Sequence, residues 1–187
     1  MSKIKFPFQF LAIIWVVFIV NAILPIDLNN FGLLPRSERG LFGIFTAPFL
    51  HVNLNHIISN SVPLLVLLLT TSFVYSTRIY SIIFSIVLIG GGMEWLFART
   101  AYHIGASGLI YGLVGFLTFS GIYQRRLVPF IVAVAIGLVY GTTMWMGMLP
   151  MQCSSISWEG HLFGAIAGII TARMMRNKGI EHEQERA

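Results

Sequence analysis

Charge is what this sequence has least of: 10% of its 187 residues are Asp, Glu, Lys or Arg, against roughly 25% in ordinary soluble domains. Hydrophobic residues make up 56% and the mean hydropathy is +0.80, so a water-soluble fold of this size could not hide its apolar surface. Cysteine is almost missing. Cys153 stands alone, which rules out an intrachain disulfide and a cysteine-built zinc site. No His-Glu-x-x-His occurs, and ligation by His51, His56, His103 and His161 would leave a well-placed serine without a role; no metal and no cofactor is expected. The Lys and Arg residues behind a pI near 9.7 are scattered singly or in pairs. They form no basic stripe, so nucleic acid is not an expected partner.

What is present is a series of long apolar runs, at 8–24, 53–74, 79–98, 107–123, 127–148 and 158–175, each near the roughly 20 residues that a helix needs to cross a bilayer. They predict an all-α fold: one polytopic membrane domain over 1–187, with six transmembrane helices and a charged, unstructured cytoplasmic tail at 177–187. Lys3 and Lys5 ahead of the first run imitate a secretory signal, but no small-x-small cleavage site follows, so the run is read as the first helix. The connection Pro25–Leu50 is too long to be a simple turn and is expected to be structured or functional. Cytoplasmic loops retain an excess of Lys and Arg. With the N-terminus inside, nine of the twelve basic residues fall on the inner face, leaving Arg36, Arg39 and Arg99 outside. Both termini are then cytoplasmic, and the second, fourth and sixth helices all run inward from the outer face.

Hydrogen-bonding side chains are expensive inside a bilayer and usually face the protein interior. Here they gather at one depth: His56 and Asn60 open the second helix, Ser107 the fourth, Glu159 and His161 the sixth. His56 and Asn60 are four apart and share a helix face, as do Ser107 and Tyr111. His161 lies on the face of Gly164 and Gly168, a Gly-x-x-x-Gly step that lets helix backbones approach closely. The fourth helix carries Gly108, Gly112 and Gly115. Packing those faces together would bring Ser107 and His161 within reach of a hydrogen bond, with the Tyr111 ring one turn below to support the imidazole.

A serine hydroxyl becomes a nucleophile once a base takes its proton, and histidine has the pKa for that task near neutrality. The two form a dyad, because Glu159 sits two residues from His161 and points elsewhere. Attack on a peptide carbonyl creates an oxyanion that needs donors. Asn60, His56, the Ser107 N–H and the free amides opening the fourth helix are the candidates.

Gly105-Ala106-Ser107-Gly108 resembles the Gly-x-Ser-Gly motif of the rhomboid intramembrane serine proteases. His56-Ile57-Ile58-Ser59-Asn60 resembles that family's His-x-x-x-Asn, and His161 through Gly164 to Gly168 its histidine helix; Tyr111 matches the tyrosine that packs on the histidine in bacterial members. The resemblance spans roughly 45–170. It implies the six-helix form of a bacterial plasma-membrane protease held in the lipid bilayer: a Ser107/His161 dyad, oxyanion stabilisation by His56 and Asn60, support from Tyr111, Gly105, Gly108, Gly164 and Gly168, and cleavage of other membrane proteins, expected to be single-pass, in or near their transmembrane segments. The first loop departs from the pattern, carrying Arg36-Ser37-Glu38-Arg39 where the family often has Trp-Arg.

Other residues read more plainly. His51 and His103 are expected as solvated loop histidines, Glu94 and Trp95 as structural anchors with Arg99, and Trp145 and Trp158 as interfacial anchors. The fifth helix and the loop Leu149–Ser157 are candidates for a gate and lid. Two rival functions stand beside the protease: a catalytically silent rhomboid-like protein that binds membrane clients, and a small transporter or channel whose polar cluster lines a pathway.

Overall fold

The computed structural model describes residues 5–124, the positions 127, 128, 130–132, 134, 135 and 138, and 157–184. Five long helices organise it: α1 (Lys5–Ile23), α2 (Leu54–Val74), α3 (Ile79–Phe97), α4 (Ser107–Gln124) and α5 (Trp158–Gln184). Among the described residues there is no strand, only an isolated antiparallel bridge between Leu33 and His103. The described positions between 127 and 138 are helical. The rest of the predicted fifth span, Trp145 and nearly all of the gate and lid segment lie outside the described residues.

The helices begin where local chemistry satisfies their first amides. Asn53 caps α2, its side chain accepting from the His56 N–H at 2.9 Å, and Ser157 caps α5 by accepting from the Gly160 N–H at 3.1 Å. By length and composition α1, α2 and α3 can each cross a bilayer. Large apolar side chains such as Ile13, Val16, Phe73, Phe84 and Leu88 face outward, which in water would be an aggregation surface and in lipid is the expected boundary. The protein is an integral membrane protein.

Each of the first four long helices lies along one of the first four apolar runs. The last run continues as helix to Gln184, where an unstructured tail was expected, because Glu, Gln and Lys beyond Arg176 are good helix formers even without an apolar face. The long first connection is structured, with four short helices between Leu28 and Phe49.

The core is built from Leu64, Leu67 and Leu68 of α2, Ile82 and Ile86 of α3, and Leu113, Phe116 and Leu117 of α4, all essentially inaccessible. At the C-terminal end of α2 the Tyr75 hydroxyl donates to Ser120 Oγ at 3.0 Å. The backbones of α4 and α5 meet in close contact. A Cβ at Gly164 would collide with the Gly108 carbonyl oxygen, and one at Gly168 with that of Gly112. Only glycine permits this contact, and it fixes α5 in rotation and depth against α4.

Candidate active site at the N-terminal ends of α2, α4 and α5

The glycine interface ends where α4 opens with Ser107 and α5 carries His161 in its first turn. The Tyr111 ring lies flat on the His161 ring, centroids 4.2 Å apart and planes 8° from parallel, and both residues are buried. An imidazole clamped this way has lost much of its rotational freedom.

The chain reaches Ser107 through Gly105, whose φ of +115° is a conformation L side chains rarely adopt. The space is closed as well, since a Cβ at Gly105 would stand 2.7 Å from His56 Cε1 and Nε2 and 3.7 Å from Asn60 Nδ2. The His56 ring and the Asn60 amide therefore press on the turn that delivers Ser107. Beneath them lies His51, 2% exposed. Its Nε2 is 3.1 Å from Asn60 Nδ2 and accepts from the Ala106 N–H at 3.4 Å. Two donors facing one nitrogen require a lone pair there, so His51 is the neutral tautomer with its proton on Nδ1. Burial first, and the neighbouring His56 second, push its pKa down to about 4.

On the other side of Ser107 is a cavity of about 50 Å³ whose lining includes Ser107, Glu94, His103, Ser157 and Gly160. The Ser157 hydroxyl donates to Glu94 Oε1 at 2.8 Å. His103 Nδ1 is 3.1 Å from Glu94 Oε1 and 2.6 Å from Ser157 Oγ. Arg99 Nε pairs with Glu159 Oε1 at 3.6 Å, and the Trp95 indole donates to the Ser37 carbonyl at 3.0 Å. Arg36 takes the carbonyls of Leu96 and Ala98 and the Thr100 hydroxyl, fastening the first loop over the end of α3.

Two expectations are corrected here. His51 and His103 are not solvated: each is almost wholly buried, because the first loop folds inward and pairs with the α3–α4 loop through Leu33 and His103. Glu94 takes His103 and Ser157, and Arg99 takes Glu159. The sequence offered one overlooked signal for His51, a histidine nine residues before Asn60, and one for His103, a histidine directly before the segment Ile104-Gly105-Ala106-Ser107. Ser157 carried only the weak mark of a serine preceding a helix.

With the geometry in hand, comparison with known proteins places residues 38–178 within the Rhomboid domain family. Uncharacterized proteins of Mycobacterium tuberculosis and Mycobacterium bovis are each 34% identical over 180 residues, covering 89% of this chain and 72% of the relative. An uncharacterized protein of Mycobacterium leprae is 32% identical over 174 residues, covering 89% and 68%.

Proposed function

The chain belongs to the rhomboid family, and from that premise we propose that it is an intramembrane serine endopeptidase with Ser107 as nucleophile and His161 as general base. The observation that carries this reading is the Tyr111–His161 stack, seated where the glycine-lined backbones of α4 and α5 touch and one helical turn from Ser107. A rigidly held imidazole beside a helix-opening serine is the equipment acyl transfer needs.

In the proposed reaction Ser107 Oγ attacks the scissile carbonyl carbon as His161 takes its proton. The carbonyl π electrons move onto oxygen. Donors for that oxyanion are the Ser107 N–H, the Asn60 amide and His56. Neutral His51 fits this role for Asn60, since it accepts from one amide N–H and so fixes the plane in which the second points. Collapse of the tetrahedral species expels the amine, which takes the proton from His161. Water then hydrolyses the acyl-enzyme by the same steps in reverse order of partners. The cavity beside Ser107 has room for a few water molecules.

The substrates are single-pass membrane proteins whose helix unwinds near the cut, because a peptide bond inside an intact helix is shielded and its carbonyl already bonded. The proposal includes one domain of six spans, with both termini in the cytoplasm of a bacterial cell and the dyad near the outer face.

The test is labelling of the purified protein by a fluorophosphonate, alongside cleavage of a single-pass reporter. Wild type should label, Ser107→Ala should fall to background, and His161→Ala should slow cleavage by at least about 10³-fold. Equal labelling of all three proteins would end the protease reading.

A further inference from the structure

Glu94, His103 and Ser157 come from three separate segments, the end of α3, the α3–α4 loop and the residue before α5, and meet beside the cavity that Ser107 lines. Their hydrogen bonds determine where the protons are. Ser157 Oγ accepts from the Gly160 N–H and gives its own proton to Glu94. Facing that hydroxyl and that carboxylate is His103 Nδ1, while Nε2 lies 3.0 Å from the Arg99 carbonyl oxygen. A carbonyl only accepts, so Nε2 carries a proton. The Ser157 proton cannot serve both Glu94 and Nδ1, so all contacts are satisfied together only when Nδ1 is protonated too.

The network also reaches the proposed dyad from both sides. The Ser157 carbonyl accepts from the His161 N–H at 3.3 Å, so the cap residue holds the first turn of α5, including the base. His103 is anchored to Leu33 by reciprocal backbone bonds of 2.8 and 3.0 Å and leads directly into Gly105 and Ser107.

We propose that the imidazolium of His103, with Glu94 and Ser157, is a clasp that positions His161 relative to Ser107 by joining the loop that delivers the serine to the turn that delivers the histidine. The three are positioning residues, and the proposal rests on the dyad reading given above. The other charged groups around His103 are Glu159 of α5, Arg99 in its own loop, and Arg36, whose guanidinium is engaged by the Leu96 and Ala98 carbonyls. Burial pulls the His103 pKa down, but the hydrogen bond and charge of Glu94, with smaller help from the Arg99 carbonyl and Glu159, more than restore it, and it lies above its ordinary value. The clasp is therefore closed below about pH 6.5 and opens as pH rises through that raised value.

The experiment measures the fluorophosphonate labelling rate of the full chain in phosphatidylethanolamine–phosphatidylglycerol vesicles between about pH 6 and pH 9, with thermal unfolding of the same samples. Ser157→Ala and Glu94→Gln should label roughly 10–100-fold more slowly than wild type, as misplacement of a catalytic group by about 1 Å does. Ser157→Thr, which keeps the hydroxyl, should recover most of the rate. Wild type should lose rate on the alkaline side, and His103→Gln should be slow throughout and lack that decline. The clasp is overturned if the variants unfold at lower temperature yet label at the wild-type rate, if Ser157→Thr is as slow as Ser157→Ala, or if His103→Gln keeps the alkaline decline. Labelling of Ser107→Ala at the wild-type rate overturns instead the dyad on which the clasp depends.

Discussion

His51 and His103 make an instructive pair, since each lies in a loop beside the turn that delivers Ser107, and they are 2% and 3% exposed. Equally buried, they differ in charge. His51 presents one nitrogen to two N–H donors and is held neutral, its pKa near 4. His103 presents both nitrogens to acceptors, among them a carboxylate, and its pKa is raised. The polarity of the partners decides the protonation state, and burial only sharpens it.

Their contributions to stability run in opposite directions with pH. The depressed pKa of His51 gives stability that is complete above its unfolded value of about 6.5 and is lost as pH falls through 4, amounting to about 3 kcal/mol. The raised pKa of His103 gives stability that is complete below about 6.5 and is lost as pH rises through its folded value. A dome-shaped profile of unfolding temperature against pH is expected, with a different histidine responsible for each side.

The harshest way to break the comparison is to disturb the backbone between the two histidines. Gly105→Ala places a Cβ 2.7 Å from the His56 ring at a φ of +115°. It should lower stability by about 1–3 kcal/mol and labelling by at least about 100-fold. Wild-type labelling and unfolding in this variant would mean that the turn is free to relax and that neither histidine is tightly coupled to Ser107.

A milder change sharpens the contrast. His51→Phe keeps an aromatic ring but leaves the Asn60 amide and the Ala106 N–H buried without their acceptor, at a cost of about 1–3 kcal/mol. Its unfolding temperature should fall less than that of wild type between about pH 6.5 and pH 4, whereas His103→Gln should keep the full acid decline. An undiminished acid decline in His51→Phe would show that His51 is not the group that titrates there.

These two histidines also mark the limit of what the chain revealed on its own. Helical periodicity placed His56 with Asn60 and Ser107 with Tyr111 on common faces, and the glycine spacing set α4 against α5, because within a helix sequence distance converts directly into direction. Nothing comparable governs a loop. The depth of His103 depends on its bridge to Leu33, and that of His51 on the inward fold of the first connection, both long-range pairings with no period to read. Glu94 was seen as an anchor, but its partner was sought along its own helix while the real ones come from the α3–α4 loop and the cap of α5. Ser157 is legible only as a serine preceding the 158–175 run, which marks a cap but says nothing of the Glu94 carboxylate that its hydroxyl reaches. The length of α5 beyond Arg176 was missed for a different reason: the predicted spans followed hydropathy, and that part of the helix is polar.

The smallest effect belongs to the second acidic contact of the same region. Arg99 pairs with Glu159 through a side chain that is 38% exposed, while the Glu159 side chain is 4% exposed, and the Arg99 backbone N–H donates to the same carboxylate oxygen at 3.4 Å. Removing the guanidinium deletes an ion pair whose cation is partly hydrated, worth about 1 kcal/mol, and leaves the backbone bond in place. Removing the carboxylate deletes both contacts, at about 1–3 kcal/mol. Arg99→Ala should therefore unfold close to wild type, and Glu159→Gln, which keeps an acceptor, should fall between Arg99→Ala and Glu159→Ala. Because the Glu159 charge helps to raise the His103 pKa, both Glu159 variants should move the alkaline decline of labelling to slightly lower pH. Arg99→Ala, which removes a positive charge, should move it slightly higher. Opposite displacements would identify the titrating group as the imidazole near this ion pair; displacements of the same sign would assign the decline to another residue and leave the His51–His103 contrast with only its acid half.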